Sequence, residues 1–309
     1  MDKLPKITII IPVKNAGKTL QITLNSLKSQ NYNNLEVIVM DGLSDDNTME
    51  IVNNNMDIIQ IAISEKDESG ASAVNKAIGL SSGDIIGFLY GDDYLTDDAL
   101  EIIGEKVREN PHYDFYSYGL SIEELFSRKI IFESYNEKNI ALNMHNALFK
   151  HVLNHFYKKN IFQEHGLLTP LYYDGTVFIS NDREFLIRLA VNNLKNLVIE
   201  KILYKMTFHK ESFTGSRDHI VKIREEHIGI ADHYISLNNL SNYKKRKLTD
   251  FKSHNLSLLL VWYFYKLDFG KFFYTFNKGF KLKGLLWFID VFKCPLSELV
   301  YRASVKKWM

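Results

Sequence analysis

Four short apolar runs follow one another within the first ninety residues, separated by turns and by stretches with helical spacing. Lys6 to Val13 (KITIIIPV), Leu35 to Met40 (LEVIVM), Ile58 to Ile63 and Asp84 to Leu89 (DIIGFL) are rich in β-branched residues. A continuous apolar run, unlike an alternating one, is the pattern of a strand covered on both faces. Between the first two, Lys18 to Ser29 places Leu20, Leu24 and Leu27 at helical spacing. Asp41-Gly-Leu-Ser-Asp-Asp46 is a turn that can cap a helix starting near Asn47. Short turns alternating with helices of about 11 residues argue for an α/β fold built on a parallel sheet. In such sheets ligands sit beyond the carboxyl ends of the strands.

The middle of the chain is less regular. Phe115 to Leu120 and Lys129 to Ser134 have strand composition, and Leu197 to Met206 predicts a further strand. Asn181 to Val191 (NDREFLIRLAV) predicts a helix with Phe185, Leu186 and Leu189 on one side, and Asp218 to Leu237 predicts another. Asn143 to Leu168 is polar and aromatic and fits neither period.

From Lys244 the character changes. KKRK at 244–247 precedes LSLLLVWYFY at 256–265, FGKFFYTF at 269–276 and LLWFIDVF at 285–292. No uncharged run here reaches the roughly 20 residues of a membrane span. Lysines interleaved with Trp, Tyr and Phe fit amphipathic helices lying on an anionic membrane surface. A helical cap with solvated lysines, or a homodimer interface, fits the same composition. The net charge of +1 hides this asymmetry: from Asn239 on there are 14 Lys and Arg against 4 Asp and Glu, leaving 24 against 33 before it. That balance gives the body no extended basic groove, so nucleic acid is not an expected partner.

At 46% hydrophobic and 24% charged residues the chain is neither disordered nor collagen-like. Its one cysteine, Cys294, cannot form an internal disulfide, which fits a reducing compartment. The opening residues MDKLPKITIIIPV run into a strand-like segment with no h-region or cleavage site. The expected location is therefore cytoplasmic, peripheral on the inner face of the cell membrane if the tail docks there.

Acidic residues gather where the strand pattern places a ligand crevice. Asp41 ends the second strand, Asp67 and Glu68 follow the third, and Asp92 and Asp93 follow the fourth. Carboxylates arriving from several strand ends are costly together unless a cation or hydrogen-bond donors compensate them. Hard oxygen ligands and a diphosphate suit Mg²⁺ or Mn²⁺; individually, each acid also reads as a turn residue facing water. Other site chemistries lack their spacing. The first turn, Pro12-Val-Lys-Asn-Ala-Gly17, holds one glycine and no G-x-G-x-x-G. There is also no G-x-x-x-x-G-K-[ST], no H-E-x-x-H or Cys/His zinc arrangement, and no G-x-S-x-G elbow.

Three ordered segments, ITIIIPVKNAGKTLQITLNSLKSQ, LEVIVMDGLSDDNT and ISEKDESGASAVNKAIGLSSGDIIGFLYGDD, resemble the inverting family 2 glycosyltransferases of the GT-A fold, in particular bacterial enzymes that build surface polysaccharide, capsule or lipopolysaccharide. The resemblance is strong over about residues 6–95 and extends weakly to about 215. It implies a Rossmann-like, mostly parallel central sheet flanked by helices. Residues 1–238 would be the glycosyltransferase domain, about 1–95 its nucleotide-binding half and 96–238 its acceptor-binding half. Residues 239–309 would be a C-terminal helical extension. Pro12, Val13 and Asn15 would line the nucleotide pocket, Asp41 would hydrogen-bond the base, and Asp67 would hold the nucleoside or position the adjacent loop. Within Tyr90-Gly91-Asp92-Asp93, Asp92 would contact ribose or donor sugar and Asp93 would bind the divalent metal bridging the diphosphate. Gly91 leaves room for close approach, as a plain turn glycine also would.

Departure of a nucleoside diphosphate develops charge that a metal stabilises, with Lys76 and Arg217 as candidate helpers. The acceptor hydroxyl needs a base on the opposite face of the anomeric carbon. By resemblance that base is Asp182, with Glu184 as runner-up, although an acid at a helix start is in itself a common cap. Two segments depart from the family pattern. Met144-His145-Asn146 stands where relatives often have His-Gln, so His145 is a candidate for the donor site. His209, in FHKESFTG, reads either as a metal or phosphate ligand or as a surface histidine. The donor expected by resemblance is a UDP-hexose or UDP-N-acetylhexosamine, and the acceptor a glycan or lipid-linked saccharide. The competing class is a sugar-nucleotide-binding scaffold that has lost turnover.

Overall fold

The computed structural model describes residues 3–67, 69–134, 143–149, 154–168, 179–208 and 220–292. Its first half alternates as the apolar runs predict: β1 (Ile7–Val13), α1 (Leu20–Lys28), β2 (Leu35–Asp41), α2 (Thr48–Asn53), β3 (Ile61–Ser64), α3 (Gly70–Leu80) and β4 (Ile85–Phe88). β1 runs parallel to both β2 and β4, and β2 parallel to β3. That central place explains why Ile7, Ile9, Ile10 and Ile11 are all fully enclosed, since helices cover both faces. One boundary moves: the third strand opens at Ile61 and not at Ile58. Ile59 enters the core from the preceding turn, so its hydrophobicity reports burial and not strand geometry.

The second half comprises β5 (Tyr94–Leu95), α4 (Ala99–Glu109), β6 (Phe115–Glu124), β7 (Ile130–Ser134), α5 (Met144–Phe149), β8 (His155–Lys158), α6 (Asn160–Glu164), α7 (Asn181–Val191) and β9 (Asn196–Phe208). The sheet order is β3-β2-β1-β4-β8-β6-β9-β5, with β7 paired on β6. β8 enters antiparallel between β4 and β6, while β9 is parallel to β6. The molecule is thus a mixed α/β fold whose sheet is parallel throughout its first half. β8 lies in the stretch that fits neither period. It is four residues long, too short to display alternation, and its strand state comes from partners on both sides. Gly87 of β4 accommodates it, because a Cβ there would stand 2.3 Å from the Phe156 ring. α7 also differs from expectation: Glu184 through Ala190 are all buried, so it has no single apolar side.

The chain divides into two compact units, Met1–Val177 with Asn181–Ser212, and Phe178–Ser180 with Phe213–Met309. The second contains α8 (Ile220–Ser236), α9 (Asn242–Tyr265), α10 (Phe269–Lys283), a 3₁₀ turn (Gly284–Leu286) and helical residues 287–292. α8, which falls before the expected boundary at residue 238, groups with this unit. Side chains of Asp268 and Ser241 cap α10 and α9 by accepting from the N–H groups of Lys271 and Lys244. Ile228, Leu256, Leu259, Leu260, Tyr263 and Trp287 form the unit's core. Trp287 is fully enclosed because Gly279 admits it: a Cβ on Gly279 would lie 2.1 Å from the indole. No helix among the described residues is long and apolar enough to cross a membrane.

Candidate active site

The carboxyl ends of β1 and β2 are in register, Pro12 opposite Met40 and Val13 opposite Asp41. Asp41, 2% exposed, is saturated from within the fold. Its carboxylate accepts from the Ser44 N–H at 3.1 and 3.3 Å, from the Ser44 hydroxyl, and from the Ser64 hydroxyl at 2.5 Å. The loop after β1 is strapped to the loop after β2. Asn15 adopts the left-handed backbone (φ 52°) that Asn tolerates better than most residues. Its N–H donates to Ser44 Oγ at 2.7 Å, and its side-chain oxygen accepts from the Asp45 N–H at 3.1 Å. The Ala16 N–H donates to Thr48 Oγ1 and the Gly17 N–H to Asp46. Asp67 stands against Gly42, its Oδ2 3.0 Å from where a Cβ would be. Burial raises its pKa, Lys14 opposes that, and Asp41 and Glu65 add to it. Asp41, Asp67 and Lys14 therefore share one corner of the strand ends.

The turn after β4 is held more tightly than a plain loop. Gly91 packs onto the end of β1, where a Cβ would lie 2.6 Å from Val13 Cγ1 and 3.3 Å from Ala16 Cβ. A polar stripe along α1 then grips the turn. Thr19 Oγ1 donates to the Gly91 carbonyl at 2.8 Å and Thr23 Oγ1 to the Asp93 carbonyl at 2.7 Å. Ser26 Oγ accepts from the Leu95 N–H at 3.3 Å. Gln30, just past the helix, donates to the Thr96 carbonyl and accepts from the Leu100 N–H. The side chain of Asp93, 3% exposed, receives Tyr204 Oη–H at 2.6 Å on one oxygen and the Thr207 N–H at 2.7 Å on the other. Thr207 Oγ1 also donates to the Asp92 carbonyl at 2.6 Å. Burial first, and then the charge of Asp92, drives the Asp93 pKa well up, against those two donors. Asp92 itself is half-buried.

Asp182 occupies the first turn of α7, its Oδ1 accepting from the Arg183 N–H at 2.6 Å. Burial raises its pKa despite the neighbouring Arg183 charge. The Arg183 guanidinium is held by the Ala147 carbonyl at 2.9 Å. One hydroxyl registers all three central acids: the Tyr90 pKa is raised by burial, then by Asp182, Asp93 and Asp92 in that order. The fold thus brings a helix-borne acid within electrostatic reach of the paired acids of the β4 turn, although about ninety residues separate them in sequence. A carboxylate whose pKa is raised by burial is a stronger base than a solvated one.

Several candidates have other duties. Glu184 is fully enclosed and ion-paired with Arg188, whose guanidinium also donates to the His165 and Leu167 carbonyls at 2.7 and 3.1 Å. Held in this way, Glu184 braces α7 through the buried Arg188. Lys76 pairs with Glu65 at 2.6 Å on the surface. Glu68, His209, Arg217 and the side chain of His145 lie outside the described residues. Among the described residues no three His, Cys, Asp or Glu side chains converge as a metal cluster. Tyr204 and Thr207, which engage Asp93, carry no motif in sequence. The α1 stripe does have a signal: Thr19, Thr23, Ser26 and Gln30 recur at i, i+4, i+7 and i+11 beside the leucine stripe.

A mixed sheet with strapped loops and paired acids at its strand ends fits the GT-A class of α/β proteins that the resemblance implies. In keeping with this, residues 8–166 match the model of Glycosyl transferase family 2, and the chain belongs to that family. It is similar to TarS 1–349 of S. aureus, solved in complex with UDP-GlcNAc (TM-score 0.61, 18% identity, 82% of this chain and 72% of that one). It is also similar to the mannosyltransferase PcManGT of Pyrobaculum calidifontis, solved with GDP-Man and Mn²⁺ (TM-score 0.59, 15% identity, 94% and 86%). Both likenesses are of fold. A GalNAc(5)-diNAcBac-PP-undecaprenol beta-1,3-glucosyltransferase of Campylobacter jejuni is 32% identical over 111 residues, 34% of this chain and 36% of that protein. The chain spans 40% or less of several other curated glycosyltransferases that it matches.

Proposed function

We propose that the chain is a metal-dependent inverting glycosyltransferase that moves a hexose or N-acetylhexosamine from a nucleoside diphosphate sugar to a hydroxyl of a glycan or lipid-linked acceptor, in bacterial polysaccharide, capsule or lipopolysaccharide synthesis. The observation that carries this reading is that the charges of Asp182, Asp93 and Asp92 all bear on the Tyr90 hydroxyl. Pro12, Val13, Asn15, Asp41 and Asp67 take the nucleoside side of the site, and Asp92 the ribose or sugar. Because Ser44 and Ser64 already hold Asp41, its part is to set the shape of the base pocket as much as to touch the base.

Asp93 takes the metal, Mn²⁺ or Mg²⁺. Each of its oxygens receives one donor and so keeps lone-pair capacity for a cation. An enclosed carboxylate beside Asp92 is also electrostatically undercompensated, which a divalent ion corrects. A site with few protein carboxylates suits an ion that completes its shell with phosphate oxygens and waters. When bound, the ion would stabilise charge on the departing diphosphate. Asp182 receives the acceptor proton, and His209 is proposed as a further metal or phosphate ligand.

Neighbours carry UDP-GlcNAc and GDP-Man in turn, so family resemblance alone favours UDP. The undecaprenol-linked substrate named for the Campylobacter relative supports a lipid-borne acceptor. Such an acceptor places the enzyme at the cytoplasmic face of the membrane, attached through residues 239–309 as a peripheral extension of the 1–238 transferase domain.

The test is incubation with UDP-Glc, UDP-GlcNAc, UDP-GalNAc and GDP-Man together with polyprenol-linked and free saccharide acceptors, with and without Mn²⁺, following nucleoside diphosphate release and the anomeric configuration of the new glycosidic bond. The reading expects one donor to turn over only with metal and with inversion. Tight binding of a donor with no release under any condition would favour the turnover-deficient scaffold.

A further inference from the structure

We infer that Glu226 of α8 is a positioning residue for Asp182: it fixes the peptide from which α7 starts and so sets where the base carboxylate stands. This rests on the transferase reading proposed above, in which Asp182 receives the acceptor proton. Glu226 is 5% exposed, and its carboxylate accepts from the Ile179 N–H at 3.1 and 3.0 Å and from the Ser180 N–H at 2.9 Å. Ile179, Ser180 and Glu226 all belong to the second unit. A carboxylate is costly to bury unless donors meet it. Here the donors are the last two main-chain N–H groups before α7, so the side chain holds that peptide from two points.

The consequence reaches Asp182 along the main chain. α7 opens at Asn181, which puts Ser180 at the N-cap position and makes Arg183 the third helical residue. A serine at an N-cap ordinarily accepts from the N–H of the second or third helical residue. In this chain the Ser180 hydroxyl is buried without a hydrogen-bond partner among the described residues. The Arg183 N–H goes to Asp182 Oδ1 instead, at 2.6 Å. Two side-chain oxygens therefore compete for one donor, and the acid holds it. With its backbone N–H fixed on Glu226, Ser180 stays out of the cap. Released from Glu226, its hydroxyl can turn to the Arg183 N–H, and the Asp182 carboxylate then loses both its bond and its place.

The experiment compares the full chain with Glu226→Met, with Glu226→Gln and with Glu226→Met combined with Asp182→Asn. Steady-state transfer is followed with the donor, metal and acceptor that the parent uses, and nucleotide affinity by calorimetry. Glu226→Met is expected to lower kcat by about tenfold or more while donor KM and nucleotide affinity stay within about twofold, since displacing a base slows the chemical step and leaves the donor's own contacts intact. Glu226→Gln should keep kcat within about threefold, because Oε2 by itself accepts from both N–H groups and one amide oxygen can do the same. In the Asp182→Asn background Glu226→Met should cost less than about twofold more, as a residue acting through the base has nothing left to act on. An unchanged far-ultraviolet dichroism spectrum controls for folding. If Glu226→Met does not fold, Glu226→Asp takes its place with the same expectation, since it keeps the charge and withdraws the oxygens by one methylene. Four results would overturn the inference: a parent-like kcat in Glu226→Met, a fall in kcat matched by a fall in nucleotide affinity, a Glu226→Gln variant as impaired as Glu226→Met, or an undiminished effect of Glu226→Met when Asp182 is already Asn. Absence of transfer by the parent would overturn the transferase reading and the base with it, whereas parent transfer that is indifferent to Glu226→Met overturns this inference alone.

Discussion

Two carboxylates, Asp182 and Glu184, are both legible in sequence as acids opening a helix, and only their surroundings separate them. The charge of Asp182, like those of Asp93 and Asp92, bears on Tyr90; Glu184 is sealed against Arg188. Asp182→Asn should lower kcat by about a thousandfold, the usual yield of a positioned base, while calorimetric affinity for the nucleotide stays within twofold. Glu184→Gln should act on stability instead, costing about 3–5 kcal/mol in urea unfolding by leaving Arg188 buried without its charge partner. The strand pattern points to Asp41, Asp67, Asp92 and Asp93, and resemblance to Asp182. The residues that position them were not legible: Tyr204 and Thr207 meet Asp93 only through the pairing of β9 with β5 and β6, a contact across more than a hundred residues. No local period encodes such a meeting.

At the scale of elements, α1 works on two sides at once. Its leucines enter the core, while Thr19, Thr23 and Ser26 hold the backbone of the turn that carries Asp92 and Asp93. Thr23→Val keeps the side-chain shape and deletes the bond to the Asp93 carbonyl. It should weaken metal-dependent nucleotide binding about fivefold, the worth of one hydrogen bond, with the far-ultraviolet spectrum unchanged. The strands β1 and β2 and the helix α1 were legible because each is long enough to show its pattern and is covered on the faces that pattern predicts; β4, four residues long, was legible from the apolar run DIIGFL that contains it. β8 was not, since its four residues are made a strand by β4 and β6. β3 was displaced because Ile59 is buried from a turn, and burial alone does not distinguish turn from strand.

At the scale of the whole molecule, the sheet contains a built-in acid sensitivity. His155 of β8 is buried between β4 and β6, with its Nδ1 2.8 Å from Ser117 Oγ, and burial lowers its pKa to about 3. An unfolded histidine titrates near 6.5, so below that pH the unfolded chain binds a proton that the folded one does not. This stability is fully present above about pH 6.5 and falls by roughly 1.4 kcal/mol per pH unit as pH drops toward 3. Raised carboxyls such as Asp93 and Asp182 act in the opposite sense but are common to both proteins, so between pH 7 and pH 5 the parent should lose about 2 kcal/mol more than His155→Gln in urea unfolding. Glu36 does not confuse the measurement. Burial raises its pKa, but bonds from Ser82, Thr8 and Lys6 outweigh that and hold it at about 2, so its contribution is lost only as pH falls from about 4.5 toward 2. The central claim is that the strand ends of this sheet hold a nucleoside diphosphate through a metal on Asp93. Its most direct test is isothermal calorimetry of UDP, GDP, CMP and dTDP with and without Mn²⁺, in the parent chain and in Asp93→Asn, which keeps an acceptor for the Thr207 N–H and a polar partner for Tyr204. The account predicts that one nucleoside diphosphate binds, only with metal, and at least tenfold more weakly to the variant. A folded protein that binds no nucleotide, or binds one equally well without metal and in Asp93→Asn, would contradict it.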